Sequence, residues 1–210
     1  MKKLKNIGVG FVVSGLGSLP LGYLNAVGFQ ILMNSDYFTL MSFLLGVVFI
    51  EGFVIYFTLR FARFIHSKQA LKKWISIYSL LFLLVLTYLS YNSKASISSV
   101  SGTDIYSSNA FVTGLILSLL NLAQIPFWTS WNLYLLHKSY IITTSKLTTF
   151  YVFGTLIGTF AGMLTIIYVL STFAENGFFD KEIILNHVWI LFLGLAIIQL
   201  ISIIKNYIKK

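Results

Sequence analysis

The chain has 210 residues, of which 57% are hydrophobic and only 10% charged, with a mean hydropathy of +0.85. That balance excludes an ordinary water-soluble domain and makes lipid the expected solvent of the fold. Cysteine is absent, which excludes disulfides, thiolate metal sites and thiol redox chemistry, and the net charge of +9 would suggest nucleic acid only in a soluble protein.

Apolar runs fall at Ile7 to Met33, Phe38 to Leu59, Trp74 to Tyr91, Ala110 to Leu136, Thr149 to Phe173 and His187 to Ile204. Each is long enough to cross about 30 Å of hydrocarbon at roughly 1.5 Å per residue. Helices are the expected form, because backbone in lipid must satisfy its own hydrogen bonds and no alternating pattern suggests a barrel. The fold class is therefore an all-α integral membrane protein with six transmembrane helices in one polytopic domain, residues 1–210.

The first run follows Lys2, Lys3 and Lys5 and is interrupted by Gly15, Gly17, Pro20 and Gly22, with no A-x-A site after it, so it reads as a span and not as a signal peptide. The second carries Glu51, the one ionisable residue in any of the predicted membrane cores. An acid at that depth costs about 3 kcal/mol on insertion scales, so it must face the protein interior, be neutral or have a partner. A carboxyl group that is alternately buried and hydrated passes between neutral and charged states, which is what a coupling residue needs.

Between the third and fourth runs, the connector from Asn92 to Asn109 holds seven serines and reads as an extracellular loop. The fourth run carries Pro126, with Ser118, Asn121, Gln124, Thr129 and Asn132 around it. In the fifth, Gly154, Gly158 and Gly162 form a small-xxx-small stripe that lets a neighbouring helix approach closely. The aromatics Trp74, Tyr78, Trp189 and Tyr207 near predicted helix ends suit interfacial anchors.

When connectors are assigned to alternate sides, thirteen basic residues fall on one side and only Lys94 and Lys181 on the other. The positive-inside rule places the thirteen, and with them both termini, in the cytoplasm. Division near residue 105 leaves three helices in each half, 1–105 and 106–210. An odd number per half forces opposite orientations, so the expected architecture is a pair of inverted three-helix repeats. The only prolines, Pro20 and Pro126, lie mid-membrane in the first helix of each half. Paired interruptions at corresponding positions are the pattern of a carrier whose substrate site lies between inverted repeats.

His66, His137 and His187 are spread over both predicted faces and cannot form one metal site. No G-x-S-x-G, H-E-x-x-H or Walker motif occurs, so an enzyme is not expected. Neither are rings of charge or a carbonyl filter, which turns the reading from a channel to a secondary carrier.

The opening helix, Gly10 to Gly28 with Ser18-Leu19-Pro20-Leu21-Gly22 at its centre, resembles that of the LysE/RhtB amino-acid exporter superfamily, whose Pro-Gly-Pro motif is reduced here to Pro20 and a displaced Gly22. Gly114, Asn121, Phe127 and Trp128 match the second signature of that family, except that Leu122 occupies the proline position and Pro126 lies four residues later. Gly46 and Glu51 are similar to its glycine-rich second helix with a nearby acid. The resemblance implies export of small amino acids or related metabolites, driven by a proton or ion gradient.

The expected site comprises Pro20, Asn25, Asn121, Gln124, Pro126 and Trp128 around a polar substrate, with Glu51 as the coupling residue. A zwitterion suits these groups: helix termini offer donors to its carboxylate and Glu51 meets its amine. No cofactor is expected. The expected partners are a small-molecule substrate and the lipid bilayer of a bacterial inner membrane, with homo-oligomerisation left open and nucleic acid excluded. Competing readings are a membrane scaffold or assembly protein, in which polar residues only join helices, and a divalent metal-ion exporter using oxygen ligands.

Overall fold

Each of the six apolar runs contains helix in the computed structural model, which describes residues 2–18, 22–67, 69–96, 109–142, 144–176 and 181–205. The described residues form eight helices and no strand: α1 Lys2–Ser18, α2 Tyr23–Asn34, α3 Tyr37–Ser67, α4 Gln69–Ser96, α5 Ala110–Leu120, α6 Gln124–His137, α7 Ser145–Glu175 and α8 Lys181–Ile203. Pro20, Tyr207 and most of the serine-rich connector lie outside the described residues, although α4 carries helix into that connector as far as Ser96.

The first and fourth runs are each split in two. Helices α1 and α2 meet at 75°, and α5 and α6 at 70°. In the second break α5 ends at Leu120, the Asn121 N–H bonds to the Ser118 carbonyl at 3.1 Å, and Gln124 N–H bonds to the Asn121 carbonyl at 3.2 Å. Pro126 is the third residue of α6 and not the point of interruption. In that first turn its missing N–H costs little, whereas an uninterrupted helix would drive its ring into the Leu122 carbonyl. A tight turn at Ser35 and Asp36 joins α2 to α3. There the Asp36 carboxylate accepts the Thr39 backbone N–H at 2.7 Å, and this bond holds its carboxyl below the usual range.

Two helix pairs share one kind of close contact. Helix α1 runs parallel to α7, where a Cβ on Gly154 would strike the Ile7 carbonyl and one on Gly10 would come within 2.5 Å of the Tyr151 carbonyl. Helix α5 runs parallel to α3 in the same way: Gly46 abuts the Phe111 carbonyl and Gly114 the Phe43 carbonyl. A serine one turn beyond the glycine then bonds across each interface. Ser14 Oγ donates to the Thr155 carbonyl at 2.7 Å, and Ser118 Oγ to the Val47 carbonyl at 3.2 Å. Backbones brought this close gain dispersion and hydrogen bonding that bulkier residues would prevent.

Helices α4 and α8 pack on each other, with Gln199 Nε2 donating to the Ser76 carbonyl at 3.1 Å. They join the other helices through Phe82, Leu83, Leu86, Phe192 and Leu195, which belong to an apolar core with Tyr23, Val27, Leu40, Phe43 and Ile167 at the Asp36 end of the bundle. A second core of Ile55, Leu59, Trp128, Leu135, Ile141 and Tyr151 fills the opposite end, and among the described residues neither α4 nor α8 contributes to it. That opposite end is also the basic one. Fully buried Asn6 there donates to the Ile142 and Leu147 carbonyls at 3.0 and 2.8 Å, and Lys5 reaches the Ser139 carbonyl.

The outward surface is apolar: Phe49, Phe53, Phe57 and Phe61 line one face of α3, and Leu81, Val85 and Tyr88 line one of α4. Spans Tyr37–Ala62 and Lys146–Glu175 are long and apolar enough to cross a membrane, and counting each bent pair as one span gives up to four. Lys73–Leu89 and Phe192–Ile203 are shorter apolar stretches.

Candidate functional site

A cavity of about 360 Å³ lies where the two helix breaks meet. Ser18 and Gly22 to Asn25 wall it from the first break, and Leu120 to Gln124 from the second. Glu51 enters from α3, Trp128 from α6 and Thr159 from α7, while Ser79 and Gln199 close the α4–α8 side. The volume falls within the range of small-molecule sites.

Glu51 has its partners inside this cavity. The fully buried indole of Trp128 donates its Nε1–H to Glu51 Oε1 at 3.1 Å. Thr159 places its hydroxyl beside the same carboxyl group, short of full hydrogen-bond geometry. No lysine, arginine or histidine lines the cavity among the described residues, and Glu51 is the single carboxyl group of its wall among them. Clusters of three or more histidine, cysteine or acidic side chains are absent among the described residues.

Of the other sequence-predicted site residues, Asn25, Asn121, Gln124 and Trp128 all line the cavity. Two of the amides are already engaged as caps. Asn25 Nδ2 donates to the Ser18 carbonyl, and Gln124 Nε2 to the Ser118 carbonyl, both at 2.8 Å. Each ties the end of one half-helix to the start of the next and satisfies a carbonyl that the break has freed. Asn121 differs, because its side-chain amide makes no hydrogen bond among the described residues and remains available to a solute. Pro126 shapes the break from the first turn of α6 and is not a lining residue.

Below Glu51, toward the basic end, a buried polar triad crosses three helices. Asn132 Nδ2 donates to Thr58 Oγ1 at 3.1 Å, and the Tyr151 hydroxyl donates to Asn132 Oδ1 at 2.8 Å. The Thr129 hydroxyl, also buried, has no hydrogen-bond partner among the described residues. Thr159, Ser79, Gln199, Thr58 and Tyr151 were not among the sequence-predicted site residues. Thr159 did carry a signal: it lies five residues past Gly154, as Glu51 lies five past Gly46, and those two glycines play matching parts in the two close interfaces.

The arrangement can hold a small polar solute, neutralise a cation at Glu51, and move a proton on or off that carboxyl group as water enters or leaves. No protein-family model, curated protein or solved structure matches the chain. The chemistry of the cavity therefore carries the functional reading.

Proposed function

We propose that this chain is a secondary active transporter that exports small amino acids or related metabolites from the cytoplasm across a bacterial inner membrane, coupled to protons or ions through Glu51. The observation that carries this reading is the cavity at the meeting of two broken helices, with a lone carboxyl group inside it that accepts a hydrogen bond from Trp128 and lies beside Thr159. An apolar bundle has no structural need for an acid at that point, and retaining one costs stability that a scaffold would not give up.

The site is framed by six spans in two inverted repeats. In support, the order of broken helix, long helix and third helix occurs twice, and the contacts come in exchanged pairs: α1 on α7 matches α5 on α3, and α2 on α7 matches α6 on α3. Glu51 and Thr159 then occupy corresponding places that face each other across the repeat axis. The LysE/RhtB resemblance at Gly114, Asn121, Phe127 and Trp128 agrees with the same reading.

The test is counterflow into proteoliposomes with a panel of amino acids and divalent ions, under an imposed proton gradient. Flux of at least one amino acid is expected, and Glu51→Gln should keep the fold while abolishing proton-driven flux. Undiminished flux in that variant would remove Glu51 from coupling. No flux of any solute in the parent protein would favour the scaffold reading.

A further inference from the structure

Two aromatic residues occupy matching places in the broken helices but stand in different surroundings. Tyr23 lies nine residues past Ser14 and Phe127 nine past Ser118, and those serines make the corresponding bonds of the two close interfaces. Each ring lies over the end of the other half-helix pair. The Tyr23 hydroxyl donates to the Leu117 carbonyl of α5 at 2.6 Å, while the Phe127 ring rests on α1 so closely that a Cβ on Gly17 would come within 3.0 Å of it.

Their contacts with the α4–α8 pair differ. Tyr23 is buried and meets Phe82 of α4 edge to face, with ring centroids 5.3 Å apart. Phe127 is 39% exposed, and its ring neighbour is Trp128 on its own helix. Ile198 of α8 lines the same cavity and is 65% exposed. The α4–α8 pair is thus seated on the core at the Asp36 end and absent from the core at the basic end.

We propose that Tyr23 and Phe82 form a closed gate on the Asp36 side of the cavity, and that Phe127 with Ile198 is its counterpart on the basic side, open in this structure. The two gates exchange when the α4–α8 pair rocks across the cavity, because a pair that packs as one body cannot be seated at both ends together. An edge-to-face aromatic contact is strong enough to favour one state and weak enough to be exchanged for another. This assignment rests on the transporter reading, since alternating gates have a purpose only around a transported solute.

The chain has no cysteine, so paired cysteines introduce the only thiols. Leu24→Cys with Leu83→Cys, which flank the gate and leave both of its rings in place, should cross-link readily with a short bifunctional thiol reagent, and Phe127→Cys with Ile198→Cys poorly. Adding Phe82→Ala to the second pair should raise its cross-linking at least about fivefold by unseating the closed gate, and Phe82→Leu should raise it less. Gel filtration and helical circular dichroism check that each variant is folded. Equal yields with and without Phe82→Ala, or no cross-link in the second pair under any condition, would overturn the gates. Cross-linking reads geometry and counterflow reads transport, so the two ideas fail separately: exclusive cross-links without flux would sink the transporter, and flux with an unresponsive second pair would sink the gates alone.

Discussion

Glu51 stood out in the sequence because it is the one acidic residue within an apolar run, and burial of charge is costly enough to make such a residue conspicuous. The amides were equally visible as polar groups, but their direction was not. Whether Asn25 and Gln124 serve the solute or the backbone depends on which carbonyls a break sets free, and the breaks are a property of three dimensions. Their donors go to Ser18 and Ser118, so they are helix caps that also happen to wall the cavity. Asn121 lines the same cavity, and its side-chain amide makes no hydrogen bond among the described residues. Gln124→Leu should therefore lower stability by about 1 kcal/mol through the lost cap, whereas Asn121→Ala should leave the unfolding midpoint unchanged and weaken solute binding. Thermal unfolding in detergent, with and without the transported solute, separates the two. A destabilised Asn121→Ala beside an unaffected Gln124→Leu would reverse the assignment.

At the scale of elements, hydropathy revealed all the helical runs, because a run of twenty apolar residues in lipid has no alternative to helix. The position of the second break was less legible. Proline marks it only indirectly: Pro126 tolerates the first turn of α6, and the chain bends before it, from Asn121 to Ala123. Thr159 went unnoticed because its spacing from Gly154, the same as that of Glu51 from Gly46, gains meaning only when the two glycines are seen in matching close contacts. The glycines themselves were readable as packing positions, and the structure adds what they touch. A Cβ on Gly114 would strike the Phe43 carbonyl, and one on Gly154 the Ile7 carbonyl, while Gly194 has open space around it. Gly114→Ala and Gly154→Ala should each cost about 1–3 kcal/mol because rigid backbone must move apart. Gly194→Ala should instead be neutral or stabilising by less than about 1 kcal/mol, since alanine is the better helix former. Denaturant unfolding of the purified protein measures the contrast, and a Gly114→Ala variant as stable as the parent would show that the α3–α5 crossing is looser than the structure has it.

For the molecule as a whole, the parallel registers of the helix pairs carry the topology further than helix composition does. Along α3, Phe43 meets Gly114, Val47 meets Ser118, Glu51 meets Trp128 and Thr58 meets Asn132, so α3 and the α5–α6 path advance in the same direction. Helix α3 ends near the basic end of the bundle, and α5 begins at the other. The chain between them must return across the full thickness, and α4 is the only described helix that can carry it. The same reasoning applies to α1 with α7, and to α8, whose Gln199 comes back to Ser76 near the start of α4. If α3 and α7 cross a membrane, the proposed six spans require α4 and α8 to cross the same distance despite their shorter apolar stretches. Single cysteines can test this because the parent has none. Ser35→Cys and Asn109→Cys, both exposed, should react with a membrane-impermeant maleimide in intact cells, and exposed Thr144→Cys only after the cells are opened. Asn109 decides the matter: labelling of Ser35→Cys without Asn109→Cys would mean that α4 does not cross, and the two-repeat architecture would fall with it.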